Sequence, residues 1–106
     1  MTDPASADGN PPDEPSVPVT REIEIVNKLG LHARAAVKFV QTAEQFKAAI
    51  AVTRGQESVD GTSILDLLML GAGQGVTITI TATGQEAPAA VDALCALVIN
   101  RFGEED

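Results

Sequence analysis

Residues 76–83 alternate without exception between apolar residues and threonines. Because successive side chains of a β-strand point to opposite faces, this period predicts a strand with one apolar face and one solvated face. A parallel sheet buries both of its faces, whereas an antiparallel sheet can leave one face in water. The alternation therefore predicts an antiparallel sheet that carries its helices on a single side.

Three further segments have strand patterns. Residues 21–26 alternate between polar and apolar side chains, and residues 48–53 and 57–59 have the pattern of a hairpin around a turn at Gly55. Together with residues 76–83, these segments predict a sheet of four strands.

Three segments with helical spacing separate the strands. The first helix follows His32, and its apolar side chains recur as one buried face at Ala36, Phe39, Val40, Ala43 and Phe46. A short helix starts after Ser63, and a last helix starts near Ala87 and is expected to bury Val91, Leu94, Val98 and Phe102. The order βαββαβα predicts an α+β fold, an open-faced β-sandwich in which a four-stranded antiparallel sheet carries three helices on one face.

The chain of 106 residues has room for one domain between two acidic ends. Residues 1–16 hold four of the six prolines and four acids but no base, which predicts a disordered leader. Residues 104–106 are all acidic, and we expect a short tail that is disordered or favours solubility. The domain at 17–103 contains all seven bases and eight of the fifteen acids, so it is nearly neutral although the net charge is −8.

Composition argues against several classes of protein. There is no basic stripe with aromatic platforms, which argues against nucleic acid as a partner. The leader is too acidic for a signal peptide and no apolar run is long enough to span a bilayer, so we expect a cytoplasmic monomer without a membrane partner. Cys95 is the only cysteine and is expected in the core, and one cysteine with one histidine predicts neither a metal site nor a cofactor site.

The only histidine, His32, lies where a polar turn gives way to the first helix, and Arg34 follows two positions later. The first N–H groups of a helix lack intrahelical partners and carry the positive end of its dipole, so they stabilise a bound anion. An imidazole can attack phosphorus, and a guanidinium can bind two phosphate oxygens. The pattern suits a phosphohistidine, but residue type alone favours a histidine that only caps the helix beside a solvated arginine.

Residues 30–36, Gly-Leu-His-Ala-Arg-Ala-Ala, resemble the active-site motif of the HPr family, the histidine phosphocarriers of the bacterial phosphotransferase system. The likeness continues without a gap through Gly84. It implies that His32 accepts a phosphoryl group on Nδ1 and that Arg34 contacts the phosphate. It also implies an enzyme I-type donor charged by phosphoenolpyruvate and an EIIA-type acceptor as partners. Ser63 falls where some members carry a regulatory phosphoserine, so a serine kinase/phosphorylase is a further implied partner.

Two residues bear on how far this resemblance extends. Members commonly have proline at the position of Ala35. A first-turn proline forfeits no helical hydrogen bond, so we expect alanine to adjust the activity of the site and not to abolish it.

Ser63 and Asp66 have the spacing of a capping box, in which each side chain accepts a hydrogen bond from the other's backbone N–H. A phosphate on Ser63 would be repelled by Asp66, so a structural cap is at least as well supported as a regulatory site.

The short helix after Ser63 has two apolar sides. At 100° per residue, one side holds Ile64, Leu65, Leu68 and Met69, and another holds Leu67 and Leu70. A short helix on a one-sided sheet can hardly bury both sides. The first set is therefore predicted to form an exposed patch, for which the resemblance implies partner docking, although coverage by loops is the simpler alternative.

Three classes of function are compatible with a chain of this kind. The resemblance favours a phosphocarrier, a co-substrate and not an enzyme, of either the sugar-transport branch or the nitrogen-related branch. The alternative is a regulatory binding module that reports nutrient status through its phosphorylation state. A self-contained enzyme is disfavoured because no second general base, carboxylate pair or metal ligand accompanies His32 in the sequence pattern.

Overall fold

The computed structural model describes residues 17–104, so the expected leader and the last two residues of the expected tail lie outside the described residues. In chain order the elements are β1 (Val19–Glu24), α1 (Ala33–Ala43), β2 (Ala49–Arg54), β3 (Glu57–Asp60), α2 (Ile64–Met69), β4 (Thr77–Thr83) and α3 (Ala87–Ile99), followed by a 3₁₀ turn at Arg101–Gly103. The predicted order βαββαβα is confirmed for these residues.

The four strands form one antiparallel sheet in the order β1-β4-β2-β3. The threonine-rich strand β4 is therefore interior to the sheet, with Ile80 opposite Arg21 of β1 and Val52 of β2. Ile78 and Ile80 are buried, whereas the threonines of β4 are exposed or half-buried. The predicted one-sided antiparallel sheet with three helices is confirmed.

Strand β1 begins earlier than the alternation predicts. It starts at Val19 because β4 continues to Thr83 and offers Ala82 and Thr81 as partners to Val19 and Thr20. The limits of this strand thus depend on the length of its neighbour.

Helix α1 has the predicted buried face but is shorter. Ala36, Phe39, Val40 and Ala43 are buried, and so is Ala35. The helix ends at Ala43, so Phe46 packs against the core from the following turn and not from the helix.

Helix α3 buries Val91, Leu94 and Val98 as predicted, and Cys95 lies in the same core. Burial raises the pKa of the Cys95 thiol, which suits a core residue and not a reactive one. The prediction that Phe102 belongs to this helix is wrong. The helix ends at Ile99, and Arg101 and Phe102 have φ values of 57° and 55°, so the chain turns in the left-handed region and reaches the core from there.

None of the helices within residues 17–104 is long and apolar enough to cross a membrane. The same residues contain no cluster of three or more histidine, cysteine, aspartate or glutamate side chains that could hold a metal ion.

Candidate functional site

The turn before α1 is fastened to the loop between α2 and β4. Leu31 is buried, and its N–H donates to the Ala72 carbonyl at 2.9 Å. Gly30 has a φ of +66°, and a Cβ there would lie 2.7 Å from the Ala72 oxygen and 2.7 Å from the Cα of Gly73. Only glycine fits this backbone without movement, so the position of His32 is set by a close contact between two loops.

His32 is the N-cap residue of α1, as the sequence predicted, but its imidazole does not cap the helix. The backbone is extended, with φ −84° and ψ −177°, and the side chain makes no capping hydrogen bond. Its carbonyl accepts from the Ala36 N–H at 2.8 Å, which begins the helix. The side chain is 26% exposed. The alternative of a histidine that only caps the helix does not fit this geometry.

The imidazole instead contacts a carboxylate from the end of the domain. His32 Nε2 donates to Oε2 of Glu104, and Asn27 Nδ2 donates to Oε1 of the same side chain at 3.0 Å. Asn27 is fully buried, and its Nδ2 also donates to the Gly30 carbonyl at 2.8 Å. Four residues of the turn and the C-terminal segment therefore form one hydrogen-bonded network around the imidazole.

This network corrects two expectations. The sequence predicts a short acidic tail at Glu104 that is disordered or favours solubility, but its side chain is only 16% exposed and contacts the imidazole. The sequence pattern also placed no second general base beside His32, whereas the structure brings the Glu104 carboxylate against its imidazole. No local signal marks this contact, because Glu104 is 72 positions from His32 and is brought back by the left-handed turn at Arg101 and Phe102.

Three of the four charged side chains around the open depression at the imidazole are positive: Lys28, Arg34 and Lys38. It is lined by residues from the turn, from the first two turns of α1 and from the C-terminal segment: Lys28, Leu29, His32, Ala33, Arg34, Lys38, Gly103 and Glu104. The side chain of Arg34 is exposed and makes no hydrogen bond or ion pair within the part of the chain that the structure describes. A dianion bound beside His32 would thus meet a guanidinium that forms no competing contact within that part.

Ser63 makes half of the predicted capping box. Its Oγ accepts from the Asp66 N–H at 3.2 Å, so it caps α2. Its own N–H donates to the Asp60 carbonyl at 3.2 Å and not to the Asp66 carboxylate, which corrects the other half of the prediction. The physical reason is a tight turn, in which Asp60 also accepts from Thr62 N at 2.9 Å and from Thr62 Oγ1 at 2.7 Å. These bonds lower the pKa of the Asp60 carboxyl.

The two apolar sides of α2 separate as the 100° spacing suggested. Leu67 and Leu70 are buried, whereas Leu65 and Met69 are 65% and 70% exposed. Ile64 and Leu68 are also exposed. We call the four exposed side chains, Ile64, Leu65, Leu68 and Met69, the α2 patch. Helix α2 packs against α1, so the patch lies beside the helix that His32 begins.

Comparison with known proteins covers most of the described residues. The family model described as the phosphotransferase-system HPr component phosphorylation site matches residues 19–100. The phosphocarrier protein NPr of Shewanella violacea is 50% identical over 84 residues, which cover 79% of this chain and 92% of that protein. The phosphocarrier protein HPr of Cupriavidus necator is 46% identical over 84 residues, covering 79% and 94%.

Solved structures show the same fold. HPr-C-His from Thermoanaerobacter tengcongensis superposes with a TM-score of 0.80 at 41% identity, over 83% of this chain and 99% of that chain. A phosphocarrier protein HPr from Bacillus anthracis superposes with a TM-score of 0.75 at 37% identity, over 78% and 99%. The similarity therefore extends over sheet, helices and the turn that carries His32.

Proposed function

Because the chain belongs to the HPr family of phosphocarriers of the phosphotransferase system, we propose that His32 accepts a phosphoryl group from a phosphorylated enzyme I-type protein and passes it to an EIIA-type acceptor. The phosphoryl group originates from phosphoenolpyruvate in this proposal. The protein is then a co-substrate and not an enzyme, since its partners complete the site at each transfer. We also propose that the protein is a monomer and acts in the cytoplasm.

One observation carries the proposal: the imidazole of the N-cap residue is not used to cap its own helix. The ring is partly exposed at the N-terminus of α1, where N–H groups without intrahelical partners and the helix dipole favour an anion. Arg34 lies in the first turn of α1, two positions after His32, with its side chain exposed. These groups would stabilise the phosphoryl oxygens while the nitrogen lone pair attacks the phosphorus.

The transfer is tested by incubating the chain with enzyme I and phosphoenolpyruvate and recording intact mass under neutral handling. We expect one phosphoryl group that acid removes, as a phosphoramidate requires. His32→Ala is expected to remain unmodified, and its circular dichroism spectrum should match that of the parent. Undiminished phosphorylation of His32→Ala, or none in the parent, would contradict the proposal.

The α2 patch is proposed as the surface on which donor and acceptor proteins dock. Four apolar side chains are exposed on one short helix that packs against α1, whereas Leu67 and Leu70 of the same helix are buried. An exposed apolar cluster of this kind has the composition of an interface core. The docking site would then lie within reach of the transferred group.

Ser63 is proposed first as a structural cap and only second as a phosphorylation site. Its hydroxyl oxygen already accepts the Asp66 N–H, and two carboxylates flank it in the chain: Asp60 at the end of β3 and Asp66 in the first turn of α2. A phosphate placed there would meet the helix dipole favourably but would be opposed by two negative charges. A serine kinase/phosphorylase as partner therefore has weaker physical support than the phosphodonor.

A regulatory binding module is the second candidate, and the exposure of the α2 patch favours it. In that case, a partner would bind the patch whether or not His32 can be phosphorylated. Binding of a defined partner by calorimetry that persists in His32→Ala and is lost in Leu68→Glu would support this function. The relatives include both NPr and HPr proteins. The choice between the nitrogen-related branch and the sugar-transport branch is tested by parallel transfer assays, one with an acceptor from each branch.

A further inference from the structure

Two hydrogen-bond donors from the turn converge on the carboxylate of Glu104. Asn27 Nδ2 donates to one oxygen and His32 Nε2 donates to the other. The amide orientation of Asn27 is set by two acceptors, Glu104 and the Gly30 carbonyl, because only the NH₂ group can donate to both. A carboxylate accepts both bonds, whereas a carboxamide has one oxygen and would have to present an NH₂ group to one of the donors.

This convergence determines which nitrogen of His32 carries the proton. A neutral imidazole has one donor nitrogen and one acceptor nitrogen, and the bond made by one nitrogen sets the role of the other. A carboxylate can only accept, so Nε2 holds the proton and Nδ1 holds the lone pair. No hydrogen bond within residues 17–104 occupies Nδ1.

We infer that Glu104 is a positioning residue for phosphoryl transfer: it keeps the proton on Nε2 and so leaves Nδ1 as the nucleophile. The inference rests on the proposed function, because it concerns the same histidine. It adds a residue outside the family match, which ends at residue 100.

The same contact compensates charge during the transfer. When Nδ1 of His32 attacks, a new N–P bond forms and the donor's N–P bond breaks, with its electron pair returning to the donor's ring. The proton on Nε2 stays in place, so the His32 ring becomes positive and the adjacent Glu104 carboxylate stabilises it, as the carboxylate of a serine-protease triad does. When the phosphoryl group moves to the acceptor, the retained proton lets the His32 ring leave as a neutral imidazole.

The segment that carries Glu104 is held by contacts that do not involve His32. The side chain of Phe102 is fully buried, and its carbonyl accepts from Lys38 Nζ at 2.6 Å. Arg101 and Phe102 have left-handed backbone conformations, which are unfavourable for residues other than glycine and persist only where packing maintains them. Glu104 is therefore brought to the imidazole by a fixed turn.

The test uses the full chain labelled with ¹⁵N on histidine, with the ring neutral, and compares the parent with Glu104→Gln. The chemical shifts of the two ring nitrogens report the tautomer. We expect an Nε2–H imidazole in the parent and a shift toward Nδ1–H in Glu104→Gln. The rate of phosphorylation by enzyme I and phosphoenolpyruvate should fall about 10- to 100-fold in the variant. Glu44→Gln, the same charge change at an exposed residue after α1, is the matched control.

The outcomes separate this inference from the proposed function. If the parent is phosphorylated but Glu104→Gln has the same tautomer and rate as Glu44→Gln, the inference is overturned and the phosphocarrier proposal stands. If the parent is not phosphorylated on His32 at all, the proposed function fails, whatever the tautomer. A slower rate with an unchanged tautomer also overturns the inference, because it would indicate only altered packing or charge.

Discussion

The turn around His32 and the α2 patch are neighbours built in opposite ways. Around His32, the side chains of Asn27 and Glu104 and the backbone of Gly30 and Leu31 are all committed to hydrogen bonds with residues distant in the chain or in the turn itself. On α2, the side chains of Leu65 and Met69 are mostly exposed to solvent. One region is organised before any partner arrives, and the other offers apolar surface that only a partner would cover.

The contrast assigns the two parts of the proposed function, transfer and recognition, to different regions. Phosphoryl chemistry needs an imidazole held in one orientation, so it is supported by a rigid network. Recognition of more than one protein needs surface that can pack against different shapes, which apolar leucine and methionine side chains provide. Substitutions in the two regions should therefore affect transfer and binding separately.

The largest effect is expected for Gly30→Ala, which disrupts the organised turn around His32. The new Cβ would meet Ala72 and Gly73 backbone at 2.7 Å in a left-handed conformation, so we expect a loss of at least about 2 kcal/mol in the free energy of unfolding. Gly55→Ala is the matched control, because its φ is +62° but nothing lies within 4 Å. Urea denaturation measures both. Equal losses would mean that the contact between the two loops does not hold the turn.

The patch is probed by Leu65→Glu, which puts a charge on its apolar surface. We expect the affinity for unphosphorylated enzyme I to fall by about 2 kcal/mol, roughly 30-fold in Kd, with little change in the tautomer of His32. Calorimetry measures the affinity. Ile99→Glu on α3 is the control, since Ile99 and Leu65 are both 65% exposed. Equal weakening by the two variants would argue against a docking role for the patch.

A smaller change, Arg34→Lys, sharpens the comparison within the site. Lysine keeps the charge but loses the two-pronged contact with phosphate, so phosphorylation should slow about tenfold while the affinity for enzyme I is almost unchanged. Stopped reactions with phosphoenolpyruvate and enzyme I give the rate. A lysine variant as fast as the parent would show that Arg34 contributes only charge.

The smallest effect is expected at Ser63, the N-cap of the helix that carries the patch. Ser63→Ala removes the oxygen that accepts the Asp66 N–H, so stability should fall by about 1 kcal/mol. Ser63→Asp preserves a capping oxygen and should lose less, which also means that it is not a clean mimic of phosphoserine. Thermal unfolding distinguishes them. If alanine and aspartate are equally destabilising, the serine is not acting as a cap.

Much of the fold could be predicted from local patterns because the periods of strand and helix depend on near neighbours. The alternation in β4 and the spacing on α1 and α3 led to the element order and to most of the core. The separation of α2 into a buried and an exposed side followed from its 100° spacing. The first and last residues of the elements were less predictable. Strand β1 starts where β4 can still pair with it, and α1 ends before Phe46.

The candidate site was predicted only in part. His32 and Arg34 were found because they stand together in one short motif at a helix start. Glu104 was missed because acidic residues at a chain end usually indicate solvated tails, and nothing in residues 104–106 signals a contact. The sequence places Asn27 only in the polar turn before α1, whereas the structure buries it and has its Nδ2 donate two hydrogen bonds, one of them to the carboxylate that contacts the imidazole.

The sequence by itself determined the one-sided sheet, the helix that His32 begins and the family to which the chain is similar, since each of these depends on residues a few positions apart. Only the tertiary structure decided that the imidazole is held by Glu104 and Asn27 and does not cap its helix. The physical reason is that the left-handed turn at Arg101 and Phe102, packed into the core, brings together residues 72 positions apart. No local pattern encodes such a contact.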